Sequence, residues 1–241
     1  QGYQVHLADR SQPLLEILRF HELHVRAVAC VLLDLEDLED ADELLDQGVV
    51  VVAINHYGGI RRVTSVSPDN RKGSYNATKA LIDLGHRDLV FLSGPKINFD
   101  AAERRRGYEA AIKEAGDQVR GAVFEAGFSE ENGYEAGEKL LKKGKLPTGF
   151  VVASDLPAIG LMKRLREAGY TIPRDLSVIG FGDFRLSAYV HPALTTVKLP
   201  LDEIGRRAAD ALIAQYKGGR AETLKLDCPI IWRETVAPPP K

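Results

Sequence analysis

Short β-branched runs alternate with amphipathic stretches along this chain. The pattern predicts strands at residues 4–8, 27–33, 49–54, 89–93, 121–124, 149–153 and 176–181. Several are nearly unbroken apolar runs, such as Val49-Val50-Val51-Val52-Ala53-Ile54. A strand covered on both faces reads this way, and parallel sheets carry helices on both faces. Helical periodicity fills the gaps at 69–84, 101–115, 130–143, 156–168 and 201–216. In the first of these, Tyr75, Thr78, Leu81 and Ile82 recur at three- and four-residue steps, which makes one buried face. Glycine follows each predicted helix, at Gly85, Gly116, Gly144, Gly169 and Gly218. It takes the left-handed conformation that ends a helix without steric cost.

Alternating βα units imply a doubly wound parallel sheet with right-handed crossovers. Ligands in such sheets bind beyond the carboxyl ends of the strands. Residues directly after each strand are therefore the site candidates. Residues 84–94 and 168–180 share one order of helix end, glycine, short loop and strand. This reads as the similarity of two α/β lobes. Residues 34–46 are crowded with acids and hold no Lys or Arg, which reads as a solvated helix.

The 241 residues fit one large α/β domain or two lobes of ordinary size. With 44% hydrophobic and 27% charged residues, the chain is globular in composition. The net charge of -2 gives no general electrostatic footprint for nucleic acid, so a DNA-binding role would reside outside these residues. Cys30 and Cys228 belong to no Cys-x-x-Cys motif and read as reduced thiols of a cytoplasmic protein. No apolar run is long enough for a membrane helix, and no signal peptide is visible. No nucleophile elbow, zinc-protease helix, phosphate loop or dinucleotide fingerprint is present. His21 and His24 share a helix face, but nothing nearby completes a metal site. The reading is therefore no enzyme, no cofactor and no metal. Arg61, Arg62, Arg71 and Lys72 read as a solvated surface.

An ordered set of motifs then spans the chain. These are Asp69-Asn70-Arg71-Lys72-Gly73 and Leu81-Ile82-Asp83-Leu84-Gly85-His86-Arg87, followed by Ala101-Ala102-Glu103-Arg104-Arg105-Arg106-Gly107-Tyr108. Further on come Pro147-Thr148-Gly149-Phe150 with Ser154-Asp155, then Pro173-Arg174-Asp175-Leu176-Ser177-Val178-Ile179-Gly180-Phe181, then Leu194-Thr195-Thr196-Val197. The set resembles the LacI/GalR transcriptional regulators. The resemblance implies an α/β fold of two doubly wound parallel-sheet lobes joined by hinge crossovers, as in type I periplasmic binding proteins. It assigns residues 1–93 and 194–219 to the N-terminal lobe, and 94–193 and 220–241 to the C-terminal lobe. Against the family pattern the chain starts at the second strand, so the first strand, first helix and DNA-binding headpiece are expected to lie outside it.

The resemblance also picks out site residues. Arg104 matches the family's ligand arginine; its fork can hold two hydroxyls or a carboxylate, and the other reading is one of three arginines on a solvated helix. Phe128 follows a strand where relatives stack an aromatic on the ligand, and it can equally be a core residue. Ser154 matches a position that hydrogen-bonds ligand, while Asp155 beside it reads first as a helix cap. Asn55 and His56 end a strand where relatives carry Asp or Asp-Arg; a solvated loop histidine is the alternative for His56. Many relatives place a ligand-binding Asp where this chain has Gly182. The Gly-Phe-Gly-Asp form resembles the gluconate-repressor branch, leaving room for a sugar acid. Asp183 either reaches the cleft or caps the next short helix.

The implied function is the sensing core of a repressor. A sugar or sugar acid closes the lobes and alters operator binding through paired headpieces on a homodimer. A periplasmic sugar-binding protein of a transport system shares the fold and is the alternative. A headless protein with an interaction role is a third reading.

Overall fold

Neighbouring residues of a strand face opposite sides of the sheet, and in the larger sheet of this protein both sides are apolar. A computed structural model of the chain describes residues 27–31, 45–46, 48–55 and 63–241. The chain divides into two units, Gln1–Ser67 with Leu201–Leu226, and Pro68–Pro200 with Asp227–Lys241.

The first unit contains β1 (Ala27–Val31), β2 (Val50–Ile54), β3 (Thr64–Pro68) and β9 (Thr223–Leu226), in the order β1-β2-β3-β9. The pairs β1–β2 and β2–β3 are parallel. The helix Leu201–Tyr216, numbered α5 in chain order, lays Ile204, Ala208 and Ala211 on Val52 and Val66.

The second unit holds β4 (Asp88–Ser93), β5 (Arg120–Glu125), β6 (Gly149–Val152), β7 (Ser177–Gly182), β8 (Thr195–Lys198) and β10 (Ile230–Ile231). Their order is β10-β8-β7-β6-β4-β5, parallel throughout except for the antiparallel edge pair β10–β8. Four helices cover it: α1 (Asn70–Asp83), α2 (Phe99–Ala115), α3 (Glu130–Lys142) and α4 (Asp155–Glu167). Leu89, Phe91, Val151, Ile179 and Phe181 pack against α1 and α2. Their neighbours Val90, Leu92, Phe150, Val152 and Val178 pack against α3 and α4. This is the doubly wound arrangement that the apolar runs predict.

Small residues set how closely each helix pair approaches. A Cβ at Gly107 would strike the Arg71 carbonyl oxygen, so this glycine lets α2 lie directly on the first turn of α1. Gly133 and Gly160 do the same for α3 and α4, against the Pro157 and Glu130 carbonyls. Tyr108 is 1% exposed, stacks on Phe91 at 5.3 Å and donates its hydroxyl to Leu89 O at 2.9 Å. All five glycines expected after helices have positive φ, between +63° and +105°.

Two expectations differ from what is observed. The compact units divide at Ser67/Pro68, Pro200/Leu201 and Leu226/Asp227, whereas the resemblance implies lobes divided at 93/94, 193/194 and 219/220. The reason is that β4 pairs with β5 and β6, so α1 and β4 belong to the second unit. The two similar segments 84–94 and 168–180 are likewise not one per lobe, because β4 and β7 lie in the same sheet. The predicted strand at 4–8, and all of the acidic segment 34–46 except Leu45 and Asp46, lie outside the described residues.

Candidate functional site

Arg104 sits on the face of α2 turned to α1, where Gly107 has brought the two helices together. The side chain is buried, and the residue is 5% exposed. Its Nε donates to Asn70 Oδ1 at 2.7 Å, and Nη1 donates to the Ala153 carbonyl at 2.6 Å. Nη2 lies 3.8 Å from Asp100 Oδ2. Asn70 in turn donates Nδ2 to Asp100 Oδ1 at 2.9 Å, so the three side chains form one network. The guanidinium carbon stands 4.1 Å from the centre of the Phe181 ring, which gives a cation–π contact. A buried charge needs this density of partners to be tolerated. The Ala153 contact puts the guanidinium at the carboxyl end of β6. The reading of Arg104 as one arginine on a solvated helix does not hold; Arg105 and Arg106 are the more exposed arginines, paired with Glu109 and Glu103.

Ser154 follows directly. It is the N-cap of α4 in an extended conformation, yet its side chain makes no capping bond. Ser154 Oγ has no hydrogen bond among the described residues, although the residue is only 6% exposed. A cap serine normally spends its hydroxyl on the helix.

Asp155 is not the cap expected of it. It is the first residue of α4, fully buried, and its carboxylate turns away to the loop after β7 and to β8 itself. It accepts hydrogen bonds from Phe184 N at 2.8 Å, Ser187 Oγ at 2.6 Å and Thr196 Oγ1 at 2.5 Å. Burial pushes its pKa above the usual carboxylate value, opposed by the Ser187, Thr196 and Phe184 bonds. Gly180 leaves room for it, since a Cβ there would meet Asp155 Oδ1.

Asp183 does not cap the following 3-10 turn, Arg185–Ala188, whose N-cap is Phe184. Its carboxylate pairs with Arg233 Nη2 at 2.5 Å, and its backbone N donates to Thr196 Oγ1 at 3.3 Å. Gly182 has φ +138° and Asp183 has φ +56°. A side chain at Gly182 would therefore be strained in this backbone, which explains why the position is glycine here. Phe128 is half-buried at the edge of the core beneath α1 and α2, with its ring over Gly94, the residue after β4.

The structure therefore gathers Arg104, Ser154, Phe128 and Asp183 at the carboxyl ends of β4 to β7. Asn55 ends β2 in the first unit, with φ +63° and its N donating to Val66 O at 3.1 Å. His56 lies outside the described residues. Asn70, Asp100 and Phe181, which hold Arg104, were not legible as a set: Asn70 reads as a helix start and lies 34 residues from Arg104. Cys228 is buried without a disulfide, and burial pushes its thiol up to about 12. Among the described residues, no group of three His, Cys, Asp or Glu could hold a metal ion, and no helix is long and apolar enough to cross a membrane.

Known proteins carry the same architecture. A family model described as a periplasmic binding protein-like domain matches residues 78–236. Catabolite control protein A of Priestia megaterium is 34% identical over 180 residues, covering 74% of this chain and 54% of that protein. A LacI family transcriptional regulator from Mycobacterium smegmatis superposes with a TM-score of 0.74 at 36% identity, over 92% of this chain and 82% of that one. A LacI family regulator from Enterococcus faecium, solved with bound ribose, gives a TM-score of 0.78 at 25% identity, over 91% and 83%. The chain spans about half the length of several curated relatives it matches. Parallel α/β units with a polar cluster at the strand ends define the class of periplasmic-binding-protein-like domains. Within that class the chain belongs to the LacI family of transcriptional regulators.

Proposed function

We propose that this chain is the effector-sensing core of a LacI-type transcriptional repressor. A sugar or sugar acid binds at the strand ends, closes the lobes and alters operator binding through a headpiece outside this chain. Arg104 supplies the charged fork, Ser154 a hydroxyl and Phe128 an apolar ring face. The family resemblance adds Asn55, His56 and Asp183 as candidate polar contacts. The observation that carries the reading is the juxtaposition of Arg104 and Ser154: a guanidinium held on Phe181 and bonded to the carbonyl of Ala153, next in sequence to a nearly buried hydroxyl with no hydrogen bond among the described residues. Such a constellation binds polar ligands at strand ends.

The names of the relatives favour regulation over transport, and a regulator of this kind would work in the cytoplasm with operator DNA as its partner. A homodimer fits the second unit, which exposes Leu186, Tyr189 and Trp232 at 46%, 74% and 57%. The gluconate-repressor branch is supported by Gly182 alone.

A thermal-shift screen of neutral sugars and sugar acids tests the reading. A ligand at 100 times its Kd raises stability by about 2.7 kcal/mol. The expected result is a rise in melting temperature with at least one sugar or sugar acid, lost in Arg104→Ala. A rise that survives in Arg104→Ala removes Arg104 from the site.

A further inference from the structure

Three cations meet at the opposite end of the second sheet from Arg104. The turns that lead into β4 and β6 and the first residue of β5 bring Arg87, Lys145 and Arg120 around a cavity of about 360 Å³, whose wall also includes Thr148, Asp88 and Asp117. Six-residue strands rising about 3.3 Å per residue separate it from the proposed effector contacts by roughly 17 Å. It is a different place, built from different loops.

The cations are not equivalent. Arg120 is paired with Asp88 at 3.0 Å. Arg87 is anchored through one nitrogen: Nη1 donates to the Ile82 and His86 carbonyls at 2.8 and 3.0 Å. Its Nε and Nη2 make no bond among the described residues, which leaves one edge of the fork available in a pinned guanidinium. Lys145 is exposed and forms no ion pair among the described residues. With Asp88 occupied by Arg120, Arg87 and Lys145 face only Asp117 as a counter-charge within the wall. A planar fork edge with an ammonium beside it matches an oxyanion that offers several acceptor oxygens. The volume lies within the range of small-molecule clefts and exceeds what one inorganic ion fills.

We infer that this cavity is a second anion site, taking free phosphate or the phosphate group of a small organic molecule. The inference stands independently of which ligand fills the Arg104 site.

The test is a titration of the ¹⁵N-labelled chain at pH 7.5 with inorganic phosphate, and separately with glycerol 3-phosphate, ionic strength being held constant with sodium chloride. The expected result is saturable shifts at the amides of Gly85, Arg87, Gln118 and Thr148. Affinity falls by about tenfold or more in Lys145→Glu and in Arg87→Ala, as loss of a charge-assisted contact requires. Lys145 is exposed and makes no ion pair among the described residues, so Lys145→Glu keeps the fold even if Arg87→Ala weakens the end of α1. Tighter binding of glycerol 3-phosphate assigns the site to an organic phosphate; equal binding assigns it to the free ion. Either supports the site. No saturable shift at these amides, shifts confined to the Arg104 end, or affinity unchanged in Lys145→Glu overturns it.

Discussion

Asp155 ties the carboxyl end of β6 to two other strand ends, and removing it can be costed from its contacts. In Asp155→Ala, Phe184 N–H, Ser187 Oγ–H and Thr196 Oγ1–H all lose their acceptor. A buried donor without a partner costs about 1–3 kcal/mol. Against this, the variant removes a carboxylate whose pKa burial has raised, which recovers part of the desolvation penalty. The balance is a loss of about 3–5 kcal/mol, the usual cost of breaking a buried charged network from one side. Asp155→Asn keeps the shape and an acceptor oxygen, sheds the charge and turns an amide N–H toward the remaining donors; it should cost about 1–2 kcal/mol. At about 2–4 °C per kcal/mol for a chain of this size, the alanine variant melts about 10 °C lower and the asparagine variant about 4 °C lower. Differential scanning calorimetry of the three proteins at pH 7.5 reads this directly. A melting temperature within 2 °C of the parent for Asp155→Ala, or an asparagine variant as unstable as the alanine one, would refute the reasoning.

Three further outcomes follow from the packing and the charges. Gly180→Ala puts a methyl group against Asp155 Oδ1 and Leu194, and should lower stability by about 1–3 kcal/mol in urea titrations. Burial holds the pKa of His86 below its usual value, opposed by the Ala237 carbonyl and assisted by the nearby Arg87 charge. The unfolded chain then takes up a proton that the folded one resists, so this contribution is complete above pH 6.5 and is lost as pH falls below it. The unfolding free energy from urea titrations should drop between pH 7.5 and 5.5, by no more than about 1.4 kcal/mol per pH unit, with a shallower slope in His86→Gln. If the proposed homodimer uses the exposed end of the 3-10 turn, Tyr189→Asp weakens self-association in sedimentation velocity without altering the melting of the monomer.

The fold was largely legible because apolar patterning reports it. Strands whose two faces are both buried appear as unbroken Val, Leu and Phe runs, and the helix ends are marked by glycines that the backbone requires. Strands β3 and β8 were missed because Thr64, Ser65, Ser67, Thr195 and Thr196 are polar by composition, yet all are buried. Their burial depends on the sheet around them, which local hydropathy does not see. The site was legible only in part. Arg104 is marked by its spacing to Gly107 and Tyr108, and the reason is physical: the glycine sets the helix approach that buries the arginine. Asp155 reads locally as a cap because it precedes Leu156-Pro157. Its actual partners lie 29 to 41 residues downstream, beyond the reach of any local signal.

The central claim is that effector binds at the carboxyl ends of β4, β6 and β7. The most direct measurement is amide mapping of the ¹⁵N-labelled chain with whichever sugar or sugar acid raises its melting temperature. The account predicts saturable shifts at Gly94, Ala153 to Asp155 and Gly182 to Phe184, abolished in Ser154→Ala combined with Arg104→Ala. Saturable shifts elsewhere with these amides unmoved, or no sugar or sugar acid that binds at all, would contradict it.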